Sequence, residues 1–301
     1  MSRQAEIDVR PSPIAGAWYS DDPATLARSL DSLLEAAEPP RLEGTVIGVV
    51  VPHAGHRYSG AVAAHAFRSL RSCQPEVVAV ISPLHSFHPA RLLTTQHQAY
   101  WTPLGTIPVA HDLLEQLAEH LQKDSAIQLE SVAHDSEHSL EIELPFLQRV
   151  FRQPFQLLPI MVRDQGPAVA QTLGRALAAV LRGTPSVLVA STDLSHFYPA
   201  EVARRLDAEM LSRMAAFDPV AVLSAEEEGV GFACGRGAVA AVLWAAGELG
   251  ADCAQVLRYA TSGDVTRDHT SVVGYGAVAL CRRNGLAPRP KPALERLIDQ
   301  G

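Results

Sequence analysis

Residues 45–51 (TVIGVVV) are apolar without alternation, the pattern of a strand covered on both faces. Residues 76–81 (EVVAVI), 155–162 and 186–190 (SVLVA) carry the same signal. Between these runs the apolar period lengthens. Residues 111–122 place Leu113, Leu114, Leu117 and Leu121 on one helical face. Residues 61–70, 169–181, 200–216 and 235–249 also predict helices. So do residues 139–151, with Pro145 confined to a first turn or a kink. Residues 255–260 and 272–280 predict strands that close the sheet. Strands spaced by helices imply βαβ units. The expected class is therefore α/β, with a mainly parallel central sheet and helices on both faces. No stretch between the elements reads as a linker. One domain over residues 1–301 is expected, with 281–301 as a Pro-rich exit and a short terminal helix.

Composition narrows the classes. The 301 residues are 47% apolar and 19% charged, too apolar for a disordered acidic chain. The net charge of -8 and the lack of any Lys/Arg block argue against nucleic acid as a partner. The longest apolar run, residues 238–247, is too short for a bilayer and is followed by Glu248, so no membrane is expected. The opening MSRQAEIDVRPSP lacks the apolar core of a secretory signal, and a cytoplasmic location is the expectation. Four scattered cysteines without a CxxC pair do not make a disulfide framework.

Histidine changes the picture. Most of the 12 fall in short clusters, and three follow predicted strands. Residues 45–51 run into Pro52-His53-Ala54-Gly55-His56. Residues 76–81 run into Ser82-Pro83-Leu84-His85-Ser86-Phe87-His88. Residues 186–190 run into Ser191-Thr192-Asp193-Leu194-Ser195-His196. Open parallel sheets bind ligands beyond the carboxyl ends of their strands. A lone strand-end histidine is usually a capping group, but three at one edge predict a shared site. Neutral imidazole is the common ligand for Zn, Cu and Fe. Two histidines with one anionic ligand suit non-haem iron. Asp193, Glu137, Glu141 or a thiolate could complete such a set, and His56 and His88 stand open as ligands, supporting groups or surface.

Cys234 lies in Gly229-Val230-Gly231-Phe232-Ala233-Cys234-Gly235-Arg236, just before an Ala-rich predicted helix. A helix N-terminus favours thiolate, and burial as a small apolar side chain is the competing reading. Cys73, Cys253 and Cys281 lack such surroundings and read as inert. In residues 133–141 (AHDSEHSLE), a helix capped by Asp135 or Ser136 would align Glu137 and Glu141, with His138 alongside. The spacing is not HExxH, and GxSxG, GxxxxGK[ST] and a strand-following GxGxxG are absent.

Taken in order, these segments resemble the Memo family, which includes the B component of the bacterial AmmeMemoRadiSam system. The resemblance is carried by Arg10-Pro11 with residues 15–19 (AGAWY), by PHAGHRYSG (52–60) and by AHDSEHSLEIELPFLQ (133–148). STDLSH (191–196), ACGRG (233–237), TSGD (261–264) and VVGYGA (272–277) complete it. It implies a fold similar to class III extradiol ring-cleaving dioxygenases. It also implies one metal ion on His53, His85 and Cys234, with Asp193 and His196 as neighbouring polar groups. A thiolate in place of the extradiol carboxylate suits iron first, with copper or zinc as alternatives, and departs from ordinary ring cleavage. Ser86 stands where the family usually has a second histidine, and His56 where a Tyr is common. The expected chemistry is redox or oxygen-dependent and acts on a small organic substrate. His196 would serve as general acid/base, Asp193 as its orienting or outer partner, and Glu137, His138 and Arg57 as substrate-binding groups. The alternative is a non-enzymatic module that binds a phosphorylated or anionic ligand through the histidines, Arg57 and Arg236. The system's name implies a radical-SAM partner protein.

Overall fold

The structure is a computed structural model that describes residues 7–42, 44–125 and 127–283. Of the expected Pro-rich exit and terminal helix over 281–301, residues 281 and 282 instead continue a strand, and those from 284 onward lie outside the described residues. The strands are β1 (Val9–Arg10), β2 (Thr45–Val51), β3 (Val77–Pro83), β4 (Leu92–Thr95), β5 (Ala99–Thr102) and β6 (Gly105–Pro108). They continue as β7 (Leu129–Val132), β8 (Gln156–Val162), β9 (Ser186–Ser191), β10 (His196–Tyr198), β11 (Cys253–Thr261) and β12 (Val272–Arg282). The helices are α1 (Pro23–Ala36), α2 (His56–Ser69), α3 (His111–Ser125), α4 (Leu144–Val150) and α5 (Pro167–Leu181). After them come α6 (Ala200–Ala215), α7 (Pro219–Ser224), α8 (Arg236–Glu248) and α9 (Gly263–Thr266).

The main sheet runs β10-β12-β2-β9-β3-β8-β4-β7, with β11 paired to β12. Its centre is parallel, because β2, β9, β3 and β8 pair in that order and direction. These strands are buried on both faces, which is why their text shows no alternation. The strands flanking this core join it antiparallel, β12 to β2 and β4 to β8, with β11 antiparallel to β12 and β7 parallel to β4 at the ends. The sheet is thus mixed, with a parallel core. The predicted closing strands form its antiparallel hairpin.

Helix α8 packs on β2, β3, β8 and β9 with α5 behind it, while α2 packs on β2, β11 and β12 beside α1 and α4. Residues 237–246 of α8 are all buried, as an all-apolar helix requires. A second, three-stranded sheet joins β1, β5 and β6. Strands of two to four residues are too short to print a pattern, so the sequence reading passes over them. Helix α1 is different. Its Asp22 cap, Pro23 and buried Leu26, Leu30 and Leu34 form a legible signal that the pattern reading also passes over.

Two expectations need correction. Helix α2 begins at His56 rather than at residue 61, because Gly55 caps it and the Trp18 carbonyl accepts the His56 N–H at 3.0 Å. The helix expected over 139–151 is a 3-10 turn at Glu141–Glu143 followed by α4, with Pro145 in the first turn. Residues 133–140 are irregular, so Glu137, His138 and Glu141 do not share a helix face. The reason is tertiary. The Glu137 carboxylate accepts the N–H groups of His138 and Ser139 at 3.1 and 3.0 Å, and the Ser139 carbonyl accepts from Ser191. Local backbone groups satisfied in this way gain nothing from a helix.

Candidate metal centre

His53 stands two residues past β2, His85 two past β3 and Asp193 two past β9. The three strands are neighbours, so their ends reach one edge of the sheet. Cys234 arrives from the other direction, just before α8 and its cap residue Gly235. A donor atom of each of His53, His85 and Cys234 lies within 4.8 Å of the other two. Cys234 Sγ is 3.2 Å from His53 Nε2. Tetrahedral ligands at about 2.0 Å (nitrogen) and 2.3 Å (sulfur) stand roughly 3.5 Å apart, so this spacing fits donors around one cation.

Each ring is held from behind. His85 pairs through Nδ1 with Glu137 Oε1 at 2.9 Å, and its backbone N–H donates to Oε2 at 2.7 Å. His53 Nδ1 bonds Ser191 Oγ at 2.8 Å, and its backbone N–H donates to Asp193 Oδ1 at 2.8 Å. Both Nε2 atoms are left for the cluster, and a partner on the far nitrogen is what orients metal-binding histidines. His138 stacks on His85 at 4.8 Å between centroids, and Trp18 covers His138 at 4.2 Å.

The cysteine loop is built as closely. The Cys234 N–H donates to the Asp193 carbonyl at 3.2 Å, and the Asp193 N–H donates to Sγ at 3.3 Å. Gln165 Nε2 donates to the Cys234 carbonyl at 2.5 Å, and its Oε1 accepts the Gly237 N–H at 2.8 Å. A Cβ on Gly235 would collide with the Ser191 carbonyl oxygen, so only glycine lets the loop pass. His53 is 2% exposed, whereas the His85 side chain is 39% exposed, so the cluster opens to solvent past His85.

Burial sets the charges. Desolvation, with His85 and His138 nearby, holds the His53 imidazole well below its ordinary range, so its lone pair is unprotonated. Burial lowers His138 and His196 as well. Burial alone would raise Glu137, but the hydrogen bond and charge of His85 and the N–H of Ser139 outweigh it and hold the carboxyl well below its usual range. Burial lifts Asp193 to about 7. Of the two readings of Cys234, thiolate or buried small side chain, the second has the stronger local support when no cation is bound, since burial and then the Asp193 charge push the thiol up. The helix terminus does not offset that desolvation.

The structure brings Glu137 and His138 against the histidine pair. Asp193 spends its carboxylate on the His53 backbone, an outer partner of the cluster rather than of His196. His196 is half-buried, 5.6 Å from the Phe232 ring between centroids, and its Nδ1 has no partner. Arg57 is exposed over the Tyr58 ring at 5.8 Å, and Arg236 pairs with Glu226. His56 turns away to the Ile142 carbonyl at 3.0 Å, and His88 lies 3.8 Å from Glu130. Glu141 binds Arg10 at 2.6 Å and Tyr19 at 2.7 Å. Sequence reasoning missed Ser191, Glu143, Gln165, Trp18 and Arg10 as supports. Ser191, Trp18 and Arg10 do sit inside the quoted motifs. Glu143 does too, within residues 133–148, whereas Gln165 carries no local signal.

Fold and site together define an α/β protein with a His/His/Cys constellation at the carboxyl edge of a parallel sheet core. The Memo-like protein family matches residues 10–279. A MEMO1 family protein of Methanothermobacter thermautotrophicus is 37% identical over 279 residues, 89% of this chain and 98% of that protein. Another from Nitrosopumilus maritimus is 33% identical over 276 residues, 90% of this chain and 98% of that protein. The chain belongs to the Memo-like family. A crystal structure of an uncharacterized Escherichia coli K12 protein, JW3007, is similar at a TM-score of 0.45 and 15% identity, over 76% of this chain and 98% of that one. Among the described residues, no helix is long and apolar enough to cross a membrane.

Proposed function

We propose that this protein holds one metal ion on His53, His85 and Cys234 and carries out redox or oxygen-dependent chemistry on a small organic substrate. The observation behind this reading is the donor set itself: two imidazoles anchored through Nδ1 and one sulfur, mutually within 4.8 Å. Imidazole with thiolate selects Fe(II), Cu(I) or Zn over Mg or Ca, and iron is the first choice for oxygen chemistry. Such an ion, when bound, supplies a redox couple and open coordination positions. The remaining tasks fall to the chain. Glu137 orients His85 and strengthens it as a donor. Asp193, at about 7, exchanges a proton near neutral pH beside the His53 backbone. His196 offers an unpartnered Nδ1 as a second acid/base group. Trp18 stacked on His138 forms an aromatic wall, and Arg57, exposed at the start of α2, would attract an anionic substituent.

The test is purification without oxygen or chelator, followed by elemental analysis and visible spectroscopy during oxidation. Near-stoichiometric iron, lost in His53→Ala and Cys234→Ala, is the expected result. Metal content unchanged by both substitutions overturns the ligand set. A metal-loaded protein with no oxidation-dependent absorption would be redox-silent zinc and would move the reading to hydrolysis. Tight binding of inorganic phosphate to metal-free protein would instead favour the anion-binding module.

A further inference from the structure

Three polar atoms meet at one hydroxyl behind the cluster. Ser191 Oγ lies 2.6 Å from the Ser139 carbonyl oxygen, 2.8 Å from His53 Nδ1 and 3.0 Å from Glu143 Oε1. A serine hydroxyl has one hydrogen and two acceptor lone pairs. The Ser139 carbonyl can only accept and stands closest, so it takes the Ser191 hydrogen. The two lone pairs then face His53 Nδ1 and Glu143 Oε1, and each of those atoms must bring a hydrogen of its own. For the imidazole that is the Nδ1–H tautomer. For the carboxyl it is the neutral acid. The opposite arrangement, with Ser191 donating to an ionised Glu143, would set two acceptor oxygens 2.6 Å apart with no hydrogen between them.

The surroundings agree. Glu143 is 1% exposed. Burial, opposed by the Ser191 hydrogen bond and reinforced by the nearby Asp193, holds its carboxyl well above the ordinary range, and no cation is among the groups acting on it. It is the counterpart of Glu137, which ionises because His85 and backbone N–H groups face it. Two buried carboxyls a few residues apart thus support the two histidines in opposite protonation states.

We propose that Glu143 is a neutral carboxylic acid donating to Ser191, and that Ser191 thereby holds His53 with its hydrogen on Nδ1 and its lone pair on Nε2, toward Cys234. Glu143 is a positioning residue that acts through Ser191. The consequence for metal binding rests on the proposed function, whereas the proton arrangement does not. Two readouts on the metal-free full chain at neutral pH test it directly. Infrared spectra with labelled glutamate should show a carboxylic-acid carbonyl band that vanishes in Glu143→Gln. Nitrogen NMR on labelled histidine should show His53 as the Nδ1–H tautomer. Fe(II) titration then reads the consequence. Glu143→Leu, which has no donor, should weaken binding about 10–100-fold, as loss of an outer partner does. Glu143→Gln, whose amide N–H can donate to Ser191, should restore it. An ionised Glu143 or an Nε2–H tautomer in the wild-type chain overturns the inference. If Glu143→Leu does not fold, the wild-type nitrogen spectrum decides. A wild-type chain with the expected spectra that binds no Fe(II) sinks the metal reading alone.

Discussion

The two edges of one parallel sheet core place cysteine in opposite settings. At the carboxyl edge Cys234 faces His53 Nε2 at 3.2 Å. At the amino edge, Cys281 pairs with Val46 and lies opposite Cys253, while Cys73 Sγ is 3.9 Å from the Val46 carbonyl. That edge also has a groove of about 480 Å³, lined by Pro39, Pro40, Leu42, Val46 and Cys73 among others, with no imidazole or carboxylate among the described residues of the lining. Burial raises the thiols at both edges, Cys281 to about 12. Burial therefore does not separate them. The difference lies in what the chain does after each strand. Beyond β2, β3 and β9 it breaks into loops whose free N–H and C=O groups hold Asp193, Glu137, Ser191 and Gln165. Those side chains in turn fix the donors. At the amino edge the cysteines remain inside ladders or against them, and among the described residues no second donor type converges on them.

The sharpest way to break this contrast is to remove one sulfur from each edge. Cys234→Ala should lower Fe(II) affinity by more than about 100-fold, since losing a ligand exceeds losing an outer partner, while Cys281→Ala should leave it unchanged. A competition titration compares them, and equal losses would erase the distinction. The next effect is acid sensitivity at the carboxyl edge, through His56 at the start of α2. Burial lowers His56 to about 4 from an ordinary 6.5. The unfolded chain then takes up this proton first as pH falls through 6.5. Stability is lost between 6.5 and 4, by about 3 kcal/mol for this group. Urea unfolding at pH 7 and pH 4.5 should show the loss, and His56→Gln should remove its share. Glu137→Gln comes third, weakening the metal about 10–100-fold because His85 loses its ionised partner. The smallest effect expected is on stability: Cys281→Ala should cost about 1 kcal/mol in urea, with the Fe(II) titration unmoved.

The parallel strands were legible because each is buried on both faces and reads as an unbroken apolar run. Helices α3, α5, α6 and α8 were legible from their period. His53, His85 and Cys234 were legible by position and by family resemblance, each beside a strand end or helix start. The irregular 133–140 segment was not, because its backbone is satisfied by Ser191 and Arg10, residues distant in the chain, and by the side chain of Glu137 within it. Short β4 to β7 were not, since four residues cannot display a period.

From the text alone came the α/β class and the carboxyl edge as the place where His53 and His85 gather, because strand burial and crossover rules act locally and repeat along the chain, while Cys234 as their companion came from the family resemblance. Only the folded chain decided which nitrogen of each histidine is free, that Asp193 serves His53 and not His196, and that burial keeps Cys234 a thiol in the absence of a cation. Those outcomes depend on distances between residues up to 181 positions apart in the sequence. Hydrogen-bond satisfaction and desolvation respond to such distances, and a linear pattern does not encode them.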